Sequence, residues 1–246
     1  MECNINMNAK EKYGNTGFHY ACLSGHVELV ELLVKNSVEC NIDLNTKDIG
    51  GRTGFHCACS SGQIKVVELL IKNSVEFNMD LNAKNNNDGK TGFHYASDYY
   101  GRIELVELLI KNSVEFNIDL NVKDRDGKTS FHFACQNKNV KLVELLIKNS
   151  VEYNIDLNVK DDWQRGGRNG RLTGFHYACK SGNVKIVELL IKKSVECNIN
   201  LNAIDDWKRC GKKGAGKTGY NYSIGLVRRM ILDNAAQFNI DLKMYE

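Results

Sequence analysis

Apolar residues recur at helical spacing in the stretch Ile64-Lys-Val-Val-Glu-Leu-Leu-Ile-Lys-Asn73. Ile64, Val67, Leu70 and Ile71 fall on one face of a helix, and lysine and glutamate occupy the opposite face. The pattern therefore predicts an amphipathic helix. Such a helix is stable only when a neighbour covers its apolar face.

A shorter helix is predicted just before this one. The turn Asp48-Ile-Gly-Gly-Arg52 leads to Thr53, a residue favoured at helix N-termini, and the side chains of Gly54–Cys59 suit close packing. Ser61-Gly62 ends this helix, because glycine accepts the left-handed conformation found at helix C-termini. Ser74–Lys84 then forms a return loop. The unit thus consists of a turn, two helices and a return loop, and it requires no β-sheet core.

The same unit recurs along the whole chain. Thr-Gly-Phe-His begins at Thr16, Thr53, Thr91 and Thr173, Thr-Ser-Phe-His begins at Thr129, and a divergent Thr-Gly-Tyr-Asn begins at Thr218. The spacings are 37, 38, 38, 44 and 45 residues. A period of this size is typical of repeats that bury their apolar faces by stacking on one another.

The unit resembles the ankyrin repeat, whose usual wording is Thr-Pro-Leu-His-x-Ala near the first helix and Asp-x-x-Gly in the turn. The resemblance covers essentially the whole chain. It implies an all-α, ankyrin-type helix-turn-helix solenoid of six helix pairs, the last of which is a degenerate C-terminal cap. In the cap, Asn221 replaces the histidine and Arg228 takes the position of Val187.

The unit departs from the family in three ways. Glycine, or Ser130, replaces the proline, and the chain has no proline at all, so the helix starts should be less rigid. The unit exceeds the usual length of about 33 residues, and we place the excess in Ser-Val-Glu-Phe-Asn, as a further helical turn or a longer loop. Lys138 stands where other units have Gly25, Gly62 and Gly182, so this turn should carry strain.

The period divides the chain into one solenoid domain, with repeats one to five at 11–47, 48–84, 85–123, 124–160 and 161–204, a partial repeat at 1–10 and the cap repeat, repeat six, at 205–246. Residues 3–10 match the end of a repeat, so the chain begins inside one. Either a longer array was cut there or the gene begins with a fragment.

Composition is ordinary for a globular protein. There are 33 basic and 30 acidic residues, which gives no overall signature of polyanion binding. No apolar run approaches the roughly 18 residues of a membrane span, and the N-terminus lacks the basic and apolar regions of a signal peptide. We therefore expect a cytoplasmic monomer that makes no membrane contact.

Nine cysteines would allow disulfides or metal binding, but their positions favour packing. Cys22, Cys59, Cys135 and Cys179 follow the repeat threonine by six residues. A second repeat position holds Cys40, Phe77, Phe116, Tyr153, Cys197 and Phe238. A position that accepts cysteine or phenylalanine is apolar, so we predict buried, reduced thiols.

The positive charge of the chain is concentrated in two long turns. Segment 160–172 has a net charge of +2 and segment 205–217 of +3, whereas the whole chain carries +3. Both turns contain Asp-Asp-Trp near their start. Because successive turns of an ankyrin-like array project from one edge, we expect these two to lie side by side.

No sequence pattern predicts a catalytic residue, a cofactor or a metal site. Segment 211–218 matches the P-loop pattern, but no buried strand precedes it, and Gly-Lys-Thr recurs as ordinary repeat sequence. In the ankyrin family the repeat histidine forms hydrogen bonds within its turn. Neighbouring repeats are about 10 Å apart in that family, too far for two such histidines to bind one metal ion. The repeat histidines here are His19, His56, His94, His132 and His176.

The resemblance implies a non-catalytic scaffold that presents a concave surface and an edge of turns to another protein. We expect Trp163, Trp207, Arg165 and Arg209 to be the main anchors, because tryptophan and arginine dominate many protein contacts. Further candidates vary between repeats at turn tips and first-helix ends, and these are Tyr99, Tyr100, Asp98, Arg125, Arg52 and Tyr13.

Three alternatives stay open. Each tryptophan could fold back over its own turn. The basic turns 160–172 and 205–217 could bind phosphate or nucleic acid, with tryptophan stacking on bases, although nucleic acid is the weaker candidate. The repeats could also be the targeting arm of a larger enzyme or channel.

Overall fold

The structure, a computed structural model, describes residues 6–98, 102–162, 171–205, 208–209, 212–213 and 217–242. Its helices are α1 (Gly17–Ser24), α2 (Val27–Lys35), α3 (Gly54–Ser61), α4 (Ile64–Asn73), α5 (Gly92–Ser97), α6 (Ile103–Lys111), α7 (Ser130–Gln136), α8 (Val140–Asn149), α9 (Gly174–Ser181), α10 (Val184–Lys193), α11 (Gly219–Tyr222) and α12 (Gly225–Asn234). Two short strands, β1 (Lys208–Arg209) and β2 (Lys212–Lys213), pair antiparallel in the second long turn. The described residues thus form six helix pairs, which confirms the predicted all-α, helix-turn-helix fold.

The chain forms two compact units, one of residues 1–96 and 104–122 and one of residues 97–103 and 123–246. In the first unit α1 packs on α3 and α2 on α4. In the second unit α7 packs on α9, α9 on α11, α8 on α10 and α10 on α12. Within each unit, therefore, the first helices of the pairs stack on one another and the second helices do the same.

The buried face of α4 includes a residue that its sequence pattern does not predict. In α4, Val66 is buried together with Val67, Leu70 and Ile71, while Ile64 is only partly buried. The wider face follows from packing, because α4 contacts both α3 of its own repeat and α2 of the preceding one. A single stripe at helical spacing covers only one such contact.

Each first helix is capped in the way the repeat threonine predicts. The Thr53 N–H donates to His56 Nδ1 at 3.0 Å, and the Thr53 hydroxyl lies 2.9 Å from the same nitrogen. Gly62 ends the helix at a φ of +77°, in the left-handed region. The equivalent bonds are formed at Thr16, Thr129 and Thr173.

Lys138 adopts the strained conformation predicted for it. Its φ is +61°, close to the values of +78°, +77° and +72° at Gly25, Gly62 and Gly182, which end α1, α3 and α9. For a residue with a Cβ, the left-handed backbone conformation costs about 1–2 kcal/mol, whereas glycine adopts it freely. This turn is therefore less favourable than its counterparts.

Replacing Lys138 by glycine is expected to stabilise the protein by about 0.5–1 kcal/mol, because relief of the strain exceeds the extra entropy of glycine in the unfolded chain. Urea-induced unfolding followed by circular dichroism measures the difference. The matched control is Gly182→Lys, since a Cβ at Gly182 meets no atom within 4 Å. It should destabilise the protein by a similar amount, and a Lys138→Gly variant no more stable than the wild type would contradict the strain.

The cysteines are buried at one repeat position and not at the other. Cys22, Cys57, Cys59, Cys135 and Cys179 are buried and carry no disulfide in the described structure. Cys40 is exposed and Cys197 is partly exposed, so the prediction of buried thiols is wrong there. In this loop Ile42 and Leu44 fill the core instead, which leaves the residue two positions before Ile42 at the surface. Cys3 and Cys210 lie outside the described residues.

The excess residues of each repeat form a closed turn at the end of the second helix. In repeat one the Ile42 N–H donates to the Ser37 carbonyl oxygen at 2.7 Å and the Asn41 N–H to that of Val38 at 3.3 Å, while Asn41 has a φ of +51°. This is a Schellman motif, in which a left-handed residue satisfies the last carbonyl groups of a helix. The excess is therefore a further helical turn closed by asparagine. The corresponding residues are Asn78, Asn117, Asn154, Asn198 and Asn239.

A second set of asparagines joins neighbouring return loops. Asn45 Nδ2 donates to the Asn78 carbonyl oxygen at 2.8 Å, and Asn45 Oδ1 accepts the Asp80 N–H at 2.9 Å. Because an amide offers both a donor and an acceptor, each of these side chains fixes the backbone of the next loop. We call this set the asparagine ladder. Its other described members with both bonds are Asn8, Asn82, Asn158 and Asn202.

The last repeat shows the substitutions of a cap. Asn221 takes the histidine position and accepts the Thr218 N–H at 2.8 Å. The Arg228 guanidinium lies 5.1 Å from the centre of the Tyr220 ring, so a cation stacks where Val187 provides a buried apolar side chain in the preceding repeat. Leu232 in the same helix is exposed.

Candidate functional site

The turns of the repeats are closed by the same two hydrogen bonds whatever their length. The Asp48 N–H donates to the Arg52 carbonyl oxygen at 2.9 Å, and the Arg52 N–H donates to Asp48 Oδ1 at 2.8 Å. The long turns close identically between Asp161 and Leu172 and between Asp205 and Lys217. Their additional residues therefore extend from an unchanged base.

The bases of the two long turns lie side by side. Lys160, before the first base, donates from Nζ to the Ile204 carbonyl oxygen at 2.8 Å, next to the second base. In the second turn the strands pair Lys208 with Lys213 and Arg209 with Lys212. The structure thus brings the starting points of the two basic segments together, as the sequence predicts.

Two residues with exposed apolar side chains are joined through their backbones at the turn tips of the first unit. Tyr13 is 60% exposed and Ile49 is 70% exposed, and the Ile49 N–H donates to the Tyr13 carbonyl oxygen at 3.0 Å. Lys12 Nζ lies 5.0 Å from the centre of the Tyr13 ring, within cation–π range. The next turn continues the edge, because the Asn86 N–H donates to the Gly50 carbonyl oxygen at 2.8 Å. Exposed aromatic and aliphatic groups beside a cation suit contact with another protein.

The first helices also carry an aromatic row that sequence reasoning missed. It lies four residues after the repeat threonine and comprises Tyr20, Tyr95, Phe133, Tyr177 and Tyr222. The Tyr177 hydroxyl donates to Asp161 Oδ2 at 2.6 Å, and Asn85 Nδ2 donates to Tyr95 Oη at 2.7 Å. Each bond joins a first helix to its own turn, so helix and turn share one surface. The signal in the sequence was the alternation of tyrosine, cysteine and phenylalanine at this position.

Lys128 adds a cation to the aromatic row in the second unit. Its Nζ lies 5.1 Å from the centre of the Tyr177 ring and 5.6 Å from that of Phe133, and it donates to Gln136 Oε1 at 3.1 Å. Burial and the Asp161 carboxylate raise the pKa of Tyr177, so its hydroxyl is a neutral donor at physiological pH. Cations and aromatic rings therefore lie close together on the turn side of both units.

The repeat histidines hold neighbouring repeats together. His132 Nδ1 accepts the Thr129 N–H at 3.0 Å, which leaves the proton on Nε2, and Nε2 donates to the Leu172 carbonyl oxygen at 3.0 Å. His19, His56 and His176 bond the next turn in the same way. Burial, with smaller contributions from Lys128 and Lys123, lowers the pKa of His132 to about 4. A neutral, doubly bonded imidazole is a structural group, which extends the predicted role within the turn to the contact between repeats.

The individual predicted contact residues have different surroundings. Tyr13 and Arg125 are exposed, and Asp98 is partly exposed. Arg52 Nε donates to Asp48 Oδ2 at 2.8 Å, so its guanidinium also supports its own turn. Arg209 belongs to β1. Tyr99, Tyr100, Trp163, Arg165 and Trp207 lie outside the described residues.

The geometry of the described residues also bears on nucleotide binding, metal binding and membrane crossing. After the P-loop-like segment 211–218 the chain forms only the four-residue helix α11, whereas a P-loop precedes a longer helix whose N-terminus binds phosphate. In the part of the chain that the structure describes, no group of three His, Cys, Asp or Glu residues is arranged to hold a metal ion. None of the described helices combines the length and the apolar character needed to cross a membrane.

Comparison with known proteins agrees with the repeat geometry. The family model described as ankyrin repeats (3 copies) matches residues 1–81, 39–124 and 93–205. No curated protein matches the chain. The matched segments span most of the sequence, and they contain the threonine caps, the histidines and the helix pairs of repeats one to five. The chain therefore belongs to the ankyrin-repeat family.

Proposed function

We propose that this protein is a non-catalytic scaffold that binds another protein through its turn edge and first helices. Ankyrin repeats are generally protein–protein interaction modules. The observation that carries the proposal is the pair of exposed tips, Tyr13 and Ile49, joined by a backbone hydrogen bond. Two apolar side chains on a fixed backbone lose little entropy on binding, which suits them as anchors.

Each unit offers further candidate contact residues. In the first unit Tyr20 and Leu23 on α1 are exposed and offer apolar area on the first helix. In the second unit the exposed Arg125 and the Lys128 cluster offer cationic contacts. We further propose Trp163, Trp207, Arg165 and Arg209 as anchors in the long turns, and Tyr99, Tyr100 and Asp98 at the end of α5, as parts of a concave repeat surface within the second unit.

We also propose a monomer that works in the cytoplasm. The buried cysteines pack as apolar side chains, and such thiols persist in a reducing compartment. The repeat boundaries defined from the sequence period provide the units from which the surface is built.

Capture of partners from an extract of the source cells tests the function. Tagged wild-type protein should retain a specific partner that the Tyr13→Ala/Ile49→Ala variant loses by at least about tenfold, because truncating central apolar anchors typically costs 2 kcal/mol or more. Quantitative mass spectrometry measures the loss, and circular dichroism verifies that the variant is folded. The matched control is Leu226→Ala/Leu232→Ala, which removes two exposed apolar side chains from the second helix α12, outside the turn edge, and should retain the partner.

Two outcomes would contradict the proposal. Equal capture by the wild type and the Tyr13→Ala/Ile49→Ala variant would exclude the turn tips as anchors. Release of the captured proteins by nuclease would favour the alternative, in which the basic turns 160–172 and 205–217 bind phosphate or nucleic acid. The strand pairing that aligns Lys208 with Lys213 supports that alternative, because it places basic residues opposite one another.

A further inference from the structure

The return loops of the first unit display a row of exposed valines. Val38, Val75 and Val114 occupy the same position in repeats one, two and three, just after the second helix. They are 81%, 75% and 78% exposed. A branched apolar side chain gains nothing from such exposure, and three of them in successive loops form an apolar row.

Carboxylates accompany each valine. The return loops at 36–45, 73–82 and 112–121 each contain one glutamate and one aspartate and no lysine or arginine. Glu39, Glu76 and Glu115 directly follow the valines and are exposed, and none of the three has an ion-pair partner among the described residues. The nearest cations along the chain are the lysines at the helix ends, and these are bound to glutamates of their own helices in the pairs Glu31–Lys35, Glu68–Lys72 and Glu107–Lys111.

The valine and glutamate are retained where another exposed position varies. At the second residue of the second helix, the repeats alternate between opposite charges, with Glu28, Lys65 and Glu104 in repeats one to three, all exposed. The Val-Glu pair is unchanged over the same repeats. An exposed position therefore does not stay the same between repeats merely because it is exposed. The unchanged Val-Glu pair indicates a constraint other than exposure at these two positions.

The loops also form a groove on a fixed backbone. Between repeats one and two the groove is lined by Val38, Ile42, Leu44 and Phe77, with Asp43 and Glu76 among its polar groups. The asparagine ladder holds these loops together, through Asn45 and through Asn82 in the next step. A surface whose loops are already fixed loses little conformational entropy when it binds.

We propose that this return-loop edge, residues 36–45, 73–82 and 112–121, is a second binding surface for a protein segment in the polyproline II conformation that carries one basic and one apolar side chain in every three residues. The carboxylates select the basic groups and the valines and groove select the apolar ones. Three residues of a polyproline II helix span about 9 Å and complete one turn, so every third side chain lies on the same face, and packed helices are about 8–10 Å apart. A segment with one basic residue in every three therefore matches one repeat per triplet.

A synthetic peptide tests the surface directly. The probe is a fluorescent 15-residue peptide of five Lys-Leu-Ser triplets, and its binding to the full chain is measured by fluorescence anisotropy at low and high salt. It should bind, and binding should weaken as salt rises. A Lys-Ser-Ser peptide, which lacks the apolar groups, and a Glu-Leu-Ser peptide, which reverses the charge, should each bind at least about tenfold more weakly.

Two double variants, each of which removes two negative charges, test where the peptide binds. Glu39→Gln/Glu115→Gln should weaken binding of the Lys-Leu-Ser peptide at least about fivefold. Glu28→Gln/Glu104→Gln removes two exposed carboxylates from the same repeats, but at the other end of the second helix, about 15 Å away and beyond the screening length of about 10 Å. It should change binding less than twofold. Val38→Ser/Val75→Ser/Val114→Ser should weaken binding without altering the charge.

Several outcomes would overturn the proposal. Equal losses in the two glutamine variants, or equal binding of the Lys-Ser-Ser peptide, would reduce the interaction to general charge attraction. No binding of the Lys-Leu-Ser peptide would also reject it. If the protein instead self-associates in sedimentation experiments and the triple serine variant abolishes that association, a second copy of the chain covers the valines.

Discussion

Acidification from pH 6.5 to pH 4 is expected to lower the free energy of unfolding, with about 3 kcal/mol of the loss coming from His132 alone. The ordinary pKa of histidine is about 6.5, and burial holds that of His132 at about 4 in the folded protein. Between these values the unfolded chain binds a proton that the folded chain excludes. The stabilisation is therefore complete above pH 6.5 and disappears as the pH falls to about 4.

The physical cause is the pair of bonds on the imidazole. Protonation of Nδ1 removes the acceptor of the Thr129 N–H, and the resulting charge is buried without a carboxylate bound to the ring. His19, His56 and His176 have the same arrangement, and burial lowers the pKa of each. Their contributions have the same sign as that of His132. The repeat interfaces should consequently weaken together in acid.

Unfolding by urea at a series of pH values measures this dependence. The control is His132→Asn, because Asn221 already fills the histidine position of repeat six and accepts the Thr218 N–H. This variant should be less stable than the wild type at pH 7, where the bond to Leu172 is lost, and the difference should shrink as the pH falls. A wild type and a variant with the same pH dependence would show that His132 does not titrate in this range.

Gly174→Ala is expected to destabilise the protein by about 1–3 kcal/mol, the usual cost of overpacking a rigid core. A Cβ at residue 174 would lie 2.3 Å from Cε1 and 2.5 Å from Cδ1 of Phe131, whose ring is buried. Real Cβ atoms do not approach so closely, so the ring or the helix must move. Gly54, Gly92 and Gly219 meet the phenylalanine of the preceding repeat in the same way.

Repeat one supplies the control for this effect. A Cβ at Gly17 meets no atom within 4 Å, so Gly17→Ala should change the free energy of unfolding by less than about 0.5 kcal/mol. Thermal and urea unfolding of the two variants measure the contrast. Phe131→Leu should recover part of the loss in Gly174→Ala, with a coupling of about 0.5–3 kcal/mol in a double-mutant cycle. Equal effects of alanine at Gly17 and Gly174 would disprove the packing explanation.

This contact explains why the repeat lacks the usual proline. The family wording pairs proline with leucine, whereas four repeats of this chain pair glycine with phenylalanine at the same two positions, and the other two have Ser130 with Phe131 and Gly219 with Tyr220. The structure shows the reason, since the phenylalanine ring of one repeat occupies the space beside the glycine of the next. Because the larger buried ring occupies this space, glycine replaces proline there and the helix start is less rigid.

The sequence alone determined the repeat, the helix pairs, their caps and the family. These features depend on local rules: helical spacing of apolar residues, threonine at helix starts, glycine at helix ends, and a period that recurs six times. The strain at Lys138 was also predictable, because it requires only the comparison of one position between repeats. The candidate site was predictable in type, as turn tips and first-helix ends, and Tyr13 is an exposed tip as expected.

The tertiary structure decided which side chains share a surface. Neither the contact of Ile49 with Tyr13 nor the bonds of Asn45 to the next loop follow from spacing within one repeat, because each joins residues 33 or more positions apart. Cys40 is a second example of what the sequence pattern could not predict, because an apolar pattern does not show whether Cys40 or Ile42 faces the core. The stacking of repeats determines which of these residues are in contact and which face the core. It depends on how two whole repeats fit together.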